Sequence, residues 1–267
     1  MEAFALSDIG KCREMNQDAV FAQCTPIGNL DNLFIVADGM GGHQAGDYAS
    51  AYAIARLREL VQRETAKTPP ELFEWAFQVV NYEVFEKGYS EMDLYGMGTT
   101  LVACTLDANL LLTVANVGDS RLYVYSSQYG IRQITKDHSY VEELVRKGQL
   151  TRDSVLYQQS KNVITRAIGA SEDVKTDIFQ LELEEGDQIL LCSDGLSNMV
   201  SDNLLSLFLA VPDDAESKAH RLIDEANYAG GTDNISAVVI MTGETDKAFE
   251  DNEDTGEPFP EEEMRGL

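Results

Sequence analysis

The sequence predicts an α+β fold in which antiparallel sheets pack face to face and helices cover their outer sides. The strand-like segments are short, apolar and bounded by Gly, Asn or Asp, whereas the helix-like segments are few, long and grouped apart from them. The predicted strands between residues 98 and 126 follow one another too closely for helical crossovers, so we expect these strands to pair antiparallel. The predicted strands are 2–8, 19–23, 32–37, 98–106, 110–117, 120–126, 176–182, 187–193 and 234–241.

Two long helices are predicted between the third and fourth strands. Residues 45–64 are rich in Ala, with apolar residues on one stripe. Residues 69–87 begin with two prolines, which suit a helix start, and repeat apolar residues at spacings of 4, 3 and 4. Shorter helices are predicted at 139–147, 201–210 and 214–228.

Residues 138–168 lack a clear helix or strand pattern apart from the helix predicted at their start. A connection of about 30 residues is too long for an idle loop in a compact domain. We therefore expect a mobile flap beside the functional site.

The 267 residues suffice for one large domain, which we place at 1–242. Residues 243–267 contain ten acidic and two basic residues and little apolar surface, so we expect a disordered, solvated tail. The four cysteines form no CxxC pair, which favours a reducing compartment. No signal peptide or membrane helix is visible, so a soluble, cytoplasmic protein is expected, and a monomer.

The net charge of −26 argues against nucleic acid or an anionic membrane surface as a partner.

Four aspartates, far apart in sequence, each lie within two residues of a glycine at one end of an apolar segment. Asp38, Asp119 and Asp194 follow such segments, and Asp233 precedes one. Carboxylates that converge raise one another's pKa unless cations offset their repulsion. Hard divalent cations take oxygen ligands, so the pattern predicts a metal-centred hydrolase. An Asp-Gly turn without a ligand is the ordinary alternative for any one of them.

The segment from Arg13 to Asp18 is a second candidate element. A guanidinium matches phosphate oxygens bidentately, and Asp18 could orient a water molecule. A surface arginine that caps a turn is the alternative interpretation.

Eight motifs occur in the order found in metal-dependent protein serine/threonine phosphatases of type 2C, whose compact bacterial form the chain resembles over about residues 1–242. They are Arg-x-x-Asn-Gln-Asp, Asp-Gly-Met-Gly-Gly-His, Gly-Thr-Thr, Asn-Val-Gly-Asp-Ser-Arg, Asp-His-Ser, Thr-Arg-Ala-Ile-Gly, Cys-Ser-Asp-Gly-Leu and Gly-Gly-x-Asp-Asn. The resemblance implies a β-sandwich of two antiparallel sheets flanked by helices on both sides. It also implies hydrolysis of phosphoserine and phosphothreonine in proteins, in opposition to a Ser/Thr kinase.

The resemblance further implies roles for individual residues. Two Mn²⁺ or Mg²⁺ ions would be bridged by Asp38, one also bound by the Gly39 carbonyl and the other by Asp194 and Asp233. A weaker third ion would lie between Asp119 and Asp194.

In the same way, Arg13 matches the phosphate-binding arginine and Asp18 the carboxylate that orders a metal-bound water. His43 is a candidate general acid. The alternative is a histidine at the helix start that only orders water or packs, because Met40 stands where eukaryotic relatives have a catalytic histidine.

Gln17 stands where many relatives have an acid, and the flap segment 157–160 lacks a His-Pro pair often seen there. The first departure implies that one metal contact runs through water or an amide, the second bears on substrate preference, and neither touches the central carboxylates. The alternatives to a protein phosphatase are a non-enzymatic regulator on the same scaffold and a hydrolase of small phosphoesters. The presence of every matched aspartate argues against the former.

Overall fold

Eleven strands form two antiparallel sheets in the part of the chain that the computed structural model describes, residues 1–42 and 45–243. The strands are β1 (Glu2–Asp8), β2 (Asp18–Gln23), β3 (Leu33–Met40), β4 (Gly98–Thr99), β5 (Leu101–Leu106), β6 (Leu111–Val117), β7 (Arg121–Ser126), β8 (Gly130–Gln133), β9 (Asp177–Glu182), β10 (Gln188–Cys192) and β11 (Ile235–Met241).

One sheet has the order β1-β11-β10-β7-β8, and the other has the order β2-β3-β5-β6-β9 with β4 paired to the end of β3. The α+β sandwich that the sequence predicts is confirmed.

Seven α-helices accompany the sheets within the described residues: α1 (Ala45–Arg63), α2 (Pro69–Ser90), α3 (Tyr140–Arg146), α4 (Val155–Ser160), α5 (Asp194–Ser197), α6 (Asp202–Ala210) and α7 (Ala215–Tyr228). The chain enters α2 through a capping box, in which the Thr68 backbone N–H donates to the Glu71 carboxylate. No helix in this part of the chain is long and apolar enough to cross a membrane.

Both faces of each sheet are covered, which explains why the strands read as continuous apolar runs. In β3, Phe34 and Val36 point into the core between the two sheets, whereas Leu33 and Ile35 pack outward against α1 and α2. The outer face of the other sheet packs against α6 and α7. Helices therefore flank both sides of the sandwich, as predicted.

The expected antiparallel pairing of all strands between 98 and 126 is wrong in one respect. β5 pairs with β6, but β6 and β7 belong to different sheets. The chain crosses between the sheets at Gly118, whose φ of 114° is a conformation that favours glycine. A Cβ there would also lie 2.6 Å from the Thr100 side chain. Glycine is therefore required both by the backbone conformation and by the lack of space for a side chain.

Other differences are local. The predicted strand 98–106 is interrupted at Thr100, whose backbone N–H donates to the Asp38 carbonyl. The short hairpin strand β8 was not predicted. The flap contains α3, which was predicted, and α4, which was not. His43 and residues 244–267 lie outside the described residues, so the predictions for His43 and for nearly all of the tail remain predictions.

Candidate metal centre

The interior of the sandwich changes from apolar to polar at one end. Side chains alternate along a strand, so every second residue continues the same inner row. On β3 the row runs Phe34, Val36, Asp38, and on β2 it reaches Asp18, which pairs directly with Asp38. On the other strands the same rows end in hydroxyl or amide side chains: Thr100, Asn116, Ser120, Ser193 and Ser236, all fully buried. The predicted carboxylates thus lie at the polar end of the core.

Asp18 is buried and held on one side only. Its Oδ2 accepts hydrogen bonds from the hydroxyls of Ser193 and Ser236, each at 2.7 Å, whereas its buried Oδ1 has no hydrogen-bond partner among the described residues. Burial raises the pKa of Asp18 to about 7, and the two hydroxyls oppose that shift.

Asp38 lies in the middle of the carboxylate cluster. Burial raises its pKa well above the usual range, and the charges of Asp18, Asp194, Asp119 and Asp233 raise it further. Its backbone N–H donates to the Thr100 hydroxyl at 2.9 Å, which fixes the end of β3.

Gly39 is needed for a reason that the sequence did not reveal. A Cβ at this position would lie 2.1 Å from the Gly46 carbonyl oxygen and 2.6 Å from that of Gln17. The first turn of α1 and the residue before β2 therefore pack directly on the Gly39 backbone. This close approach holds the Asp38-Gly39 segment against the start of α1.

Asp119 occupies the crossover between the sheets. It is buried, and its Oδ1 also lacks a hydrogen-bond partner within the described residues. The adjacent Gly118 is bonded twice to His138: its N–H donates to His138 Nδ1 at 3.0 Å, and its carbonyl accepts from the His138 N–H. Burial, and then the charge of Asp194, raise the pKa of Asp119.

Asp194 follows β10 and Asp233 precedes β11, and these two strands are neighbours in the first sheet. A Cβ on Gly195 would lie 1.9 Å from the Asn234 carbonyl oxygen, so only glycine lets the two segments approach this closely. Asp194 accepts a hydrogen bond from Asn198 at 3.0 Å. Burial raises the pKa of Asp194 to about 6, helped by the charge of Asp233.

Arg13 reaches the cluster from the loop before β2. Its Nη2 forms a 2.8 Å ion pair with Asp233 Oδ2, and this bond raises the pKa of Arg13. Half of the Arg13 side chain remains exposed. The loop is held by Asn234, whose amide donates to the carbonyls of Ile9 and Met15 and accepts from the Gln17 N–H.

The flap lies beside this cluster, as predicted. A cleft of about 320 Å³ is lined by Asp119 and Asp194 and, from the flap, by Tyr157 and Lys161. The Tyr157 hydroxyl donates to Glu142 at 2.6 Å, which ties α4 to α3. The base of the flap is anchored at His138, whose carbonyl accepts from the Thr165 N–H.

The cluster has the chemistry of a divalent-cation site. Its donors are carboxylate and carbonyl oxygens, and two of its buried carboxylate oxygens lack partners among the described residues. Arg13 is bonded to one carboxylate of the cluster. In residues 1–42 and 45–243, no three His, Cys, Asp or Glu side chains already stand in a ligating arrangement. Asp233 is instead bonded to Arg13, and Asp194 to Asn198. Ion binding would exchange these bonds.

The sequence missed the residues that orient Asp18 and the arginine loop, namely Ser193, Ser236 and Asn234. The available signal was the alternation of the strands: each serine lies two residues from an inward apolar residue of β10 or β11.

Comparison with known proteins decides the family. Residues 11–220 match the model of the protein phosphatase 2C family. The chain belongs to this family. It is 40% identical over 255 residues to the serine/threonine phosphatase stp of Listeria monocytogenes serotype 4b, covering 92% of this chain and 98% of that protein.

Solved structures agree with this assignment. The S. agalactiae serine/threonine phosphatase superposes with a TM-score of 0.82 and 35% identity, covering 90% of this chain and 99% of that one. The catalytic domain of the serine/threonine protein phosphatase PstP, solved with two manganese ions, gives a TM-score of 0.77 and 36% identity, covering 89% and 96%. As a member of the protein phosphatase 2C family, the chain is a protein serine/threonine phosphatase, which confirms the resemblance seen in its motifs.

Proposed function

We propose that the carboxylate cluster is the centre at which this chain hydrolyses phosphoserine and phosphothreonine in proteins. The observation that carries the proposal is the convergence of Asp18, Asp38, Asp119, Asp194 and Asp233 at one end of the sandwich interior, with Arg13 at its edge.

In this proposal the ions bind at particular residues. Asp38 and the Gly39 carbonyl, with Asp194 and Asp233, would hold two Mn²⁺ or Mg²⁺ ions, and Asp119 with Asp194 a third. The family relation supports divalent metals in general, and the structure of PstP with two manganese ions supports two central sites. When bound, such ions offset the repulsion between the carboxylates and lower the pKa of water, which makes a nucleophile accessible near neutral pH.

The side chains of the chain itself would then bind and orient the substrate. Arg13 offers a planar set of donors to the phosphate oxygens and exchanges its bond to Asp233 for them. Asp18, fixed by two serine hydroxyls, presents Oδ1 as an acceptor that orients the attacking water. His43 remains a candidate proton donor to the departing alkoxide.

The proposed partners are phosphorylated proteins and the Ser/Thr kinase that the enzyme opposes, in the cytoplasm, with the enzyme acting as a monomer. Residues 1–242 would form the catalytic domain. The net charge of −26 supports protein substrates over nucleic acid.

The test measures phosphate release from a phosphothreonine peptide with Mn²⁺, with Mg²⁺, and in excess EDTA. We expect turnover with either ion, none in EDTA, and none for Asp38→Asn. Asp224→Asn, which changes an exposed aspartate on α7, is the control and should match the parent. Full turnover in EDTA would refute the metal-centred mechanism. Faster hydrolysis of p-nitrophenyl phosphate than of any phosphopeptide would favour small phosphoesters as substrates.

A further inference from the structure

A second, mainly apolar groove lies between the end of α2 and the base of the flap. Its volume is about 490 Å³, within the usual range for ligand pockets. Phe85 and Tyr89 line it from α2, Tyr95 and Met97 from the following turn, and Met40 from the end of β3. None of these residues takes part in the proposed metal centre.

The groove adjoins the metal centre through the backbone. Met40 lies two residues after Asp38 on β3 and pairs with Gly98 of β4. Two residues of extended chain span about 7 Å, so one wall of the groove begins within that distance of the Asp38 backbone. The opposite wall is attached to the same place, because Thr99 and Ile168 exchange backbone hydrogen bonds.

Large apolar side chains continue from the groove onto the surface. Tyr89 is 77% exposed, Tyr95 75% and Met92 92%. Nothing in the described part of the chain covers these three side chains. Single exposed apolar residues are ordinary, but a contiguous group beside a groove is typical of a binding surface.

The chain has a net charge of −26, and acidic residues neighbour the groove and rim residues in the sequence. Glu86, next to Phe85, and Asp93, next to Met92, take part in none of the ion pairs of the described residues, whereas Lys87 is paired with Glu91. The surface beside the apolar groove therefore favours a segment that carries basic residues.

Arg166, a cationic residue that lines the groove, is already paired within the protein. Arg166 donates to Asp177 at 2.8 Å and to the Lys175 carbonyl at 3.0 Å, so its charge is neutralised on the protein itself. The groove thus offers apolar surface, with no unneutralised positive charge of its own.

We propose that this groove binds an aromatic or long aliphatic side chain of the substrate protein, two to four residues from the phosphorylated residue, in a segment that also carries basic residues. The inference rests on the proposed function, because only a phosphate held at the carboxylate cluster sets this distance. An extended substrate spans about 3.3–3.6 Å per residue, so a side chain two to four positions away reaches the groove but not the far side of the cleft.

The first experiment uses phosphothreonine peptides that differ at one position. Phe, Lys, Glu or Ala is placed in turn at each of the four positions before and after the phosphothreonine, and kcat/KM is measured with Mn²⁺. We expect Phe to raise kcat/KM about tenfold over Ala at one or two positions on one side, as apolar pockets discriminate to this extent. Lys should be preferred over Glu at neighbouring positions.

The second experiment removes the apolar rim. Tyr89→Ala combined with Tyr95→Ala truncates two highly exposed side chains, so the fold should be retained, which circular dichroism checks. The preference for Phe should disappear while hydrolysis of p-nitrophenyl phosphate stays unchanged. Tyr129→Ala is the matched control, because Tyr129 is 76% exposed on the hairpin between β7 and β8, and it should keep the preference.

A third variant fills the groove instead of trimming its rim. Ala170→Trp introduces a large side chain at an exposed lining position. It should lower kcat/KM for the Phe peptides and leave p-nitrophenyl phosphate unaffected.

The outcomes separate this inference from the proposed function. If neither p-nitrophenyl phosphate nor any phosphopeptide is hydrolysed, the proposed function itself is wrong. If peptides are hydrolysed with no dependence on flanking residues, or with a dependence that survives both the rim and filling variants, the groove does not bind substrate. Concentration-dependent association that the rim variant abolishes would assign the groove to a second copy of the chain and overturn the inference.

Discussion

Asp194→Asn tests whether the clustered carboxylates lower the free energy of unfolding of the metal-free chain. The substitution keeps the shape of the side chain and removes one charge from the cluster. The Asp194 pKa is about 6 in the folded chain against an ordinary value of 3.8. At pH 7.5 this difference destabilises the metal-free fold by up to about 3 kcal/mol. Asp194 is partly exposed at the cleft, and screening by solvent reduces the effect to about 1–2 kcal/mol.

The assay is thermal unfolding in EDTA. For a domain of this size we expect Asp194→Asn to melt about 3–6 °C above the parent at pH 7.5. The sign follows from the raised pKa: the folded chain keeps its proton to a higher pH than the unfolded chain, so stability is lost as pH rises from about 4 to about 6. The advantage of the variant should therefore fall to about half at pH 5.

Added Mn²⁺ should reverse the order of stability. Ions that bind only the folded state stabilise it, and the variant lacks one ligand, so the parent should gain more. Asp224→Asn again serves as the control, since it removes the same charge from an exposed site on α7. The reasoning is wrong if Asp194→Asn in EDTA melts no higher than the parent, or gains no more than the control.

Three further predictions concern catalysis. Arg13→Ala should raise KM for a phosphothreonine peptide with Mn²⁺ affinity nearly intact, and calorimetry that shows lost Mn²⁺ binding would contradict the assignment. Asp119→Ala should lower kcat substantially while two central ions still bind; unchanged kcat over the whole Mn²⁺ range, measured beside thermal stability, would remove it from the site. Ser193→Ala and Ser236→Ala each remove one hydroxyl from Asp18 and should lower kcat about tenfold with KM little changed, and a purely structural role would instead lower only the melting temperature.

The sequence could predict the elements that depend on local pattern. The helix at 45–64 is observed as Ala45–Arg63, and the strand at 2–8 as Glu2–Asp8. Periodicity, prolines at a helix start and glycine after a strand act over a few residues, so they can be recognised in one dimension. The aspartates at strand ends were recognisable for the same reason, and their number indicated metal chemistry.

The partners of those residues could not be predicted in the same way. The bond from Arg13 to Asp233 joins residues 220 positions apart, and the bond from Ser236 to Asp18 joins residues 218 apart. The residues that line the apolar groove likewise come from separate places: the end of β3, the end of α2 and the base of the flap. Which side chains meet at these places depends on the strand order of each sheet and on how the two sheets pack.

The chain by itself thus determined which aspartates gather in the carboxylate cluster, because strand alternation and the residues at strand ends are local properties. Only the tertiary structure decided how those residues are held. The crossover at Gly118 shows why: two neighbouring strands that looked like a hairpin enter different sheets, and the strands with which each one pairs come from distant parts of the chain. That non-local packing places Asp119 beside Asp194 and gives the carboxylate cluster its geometry.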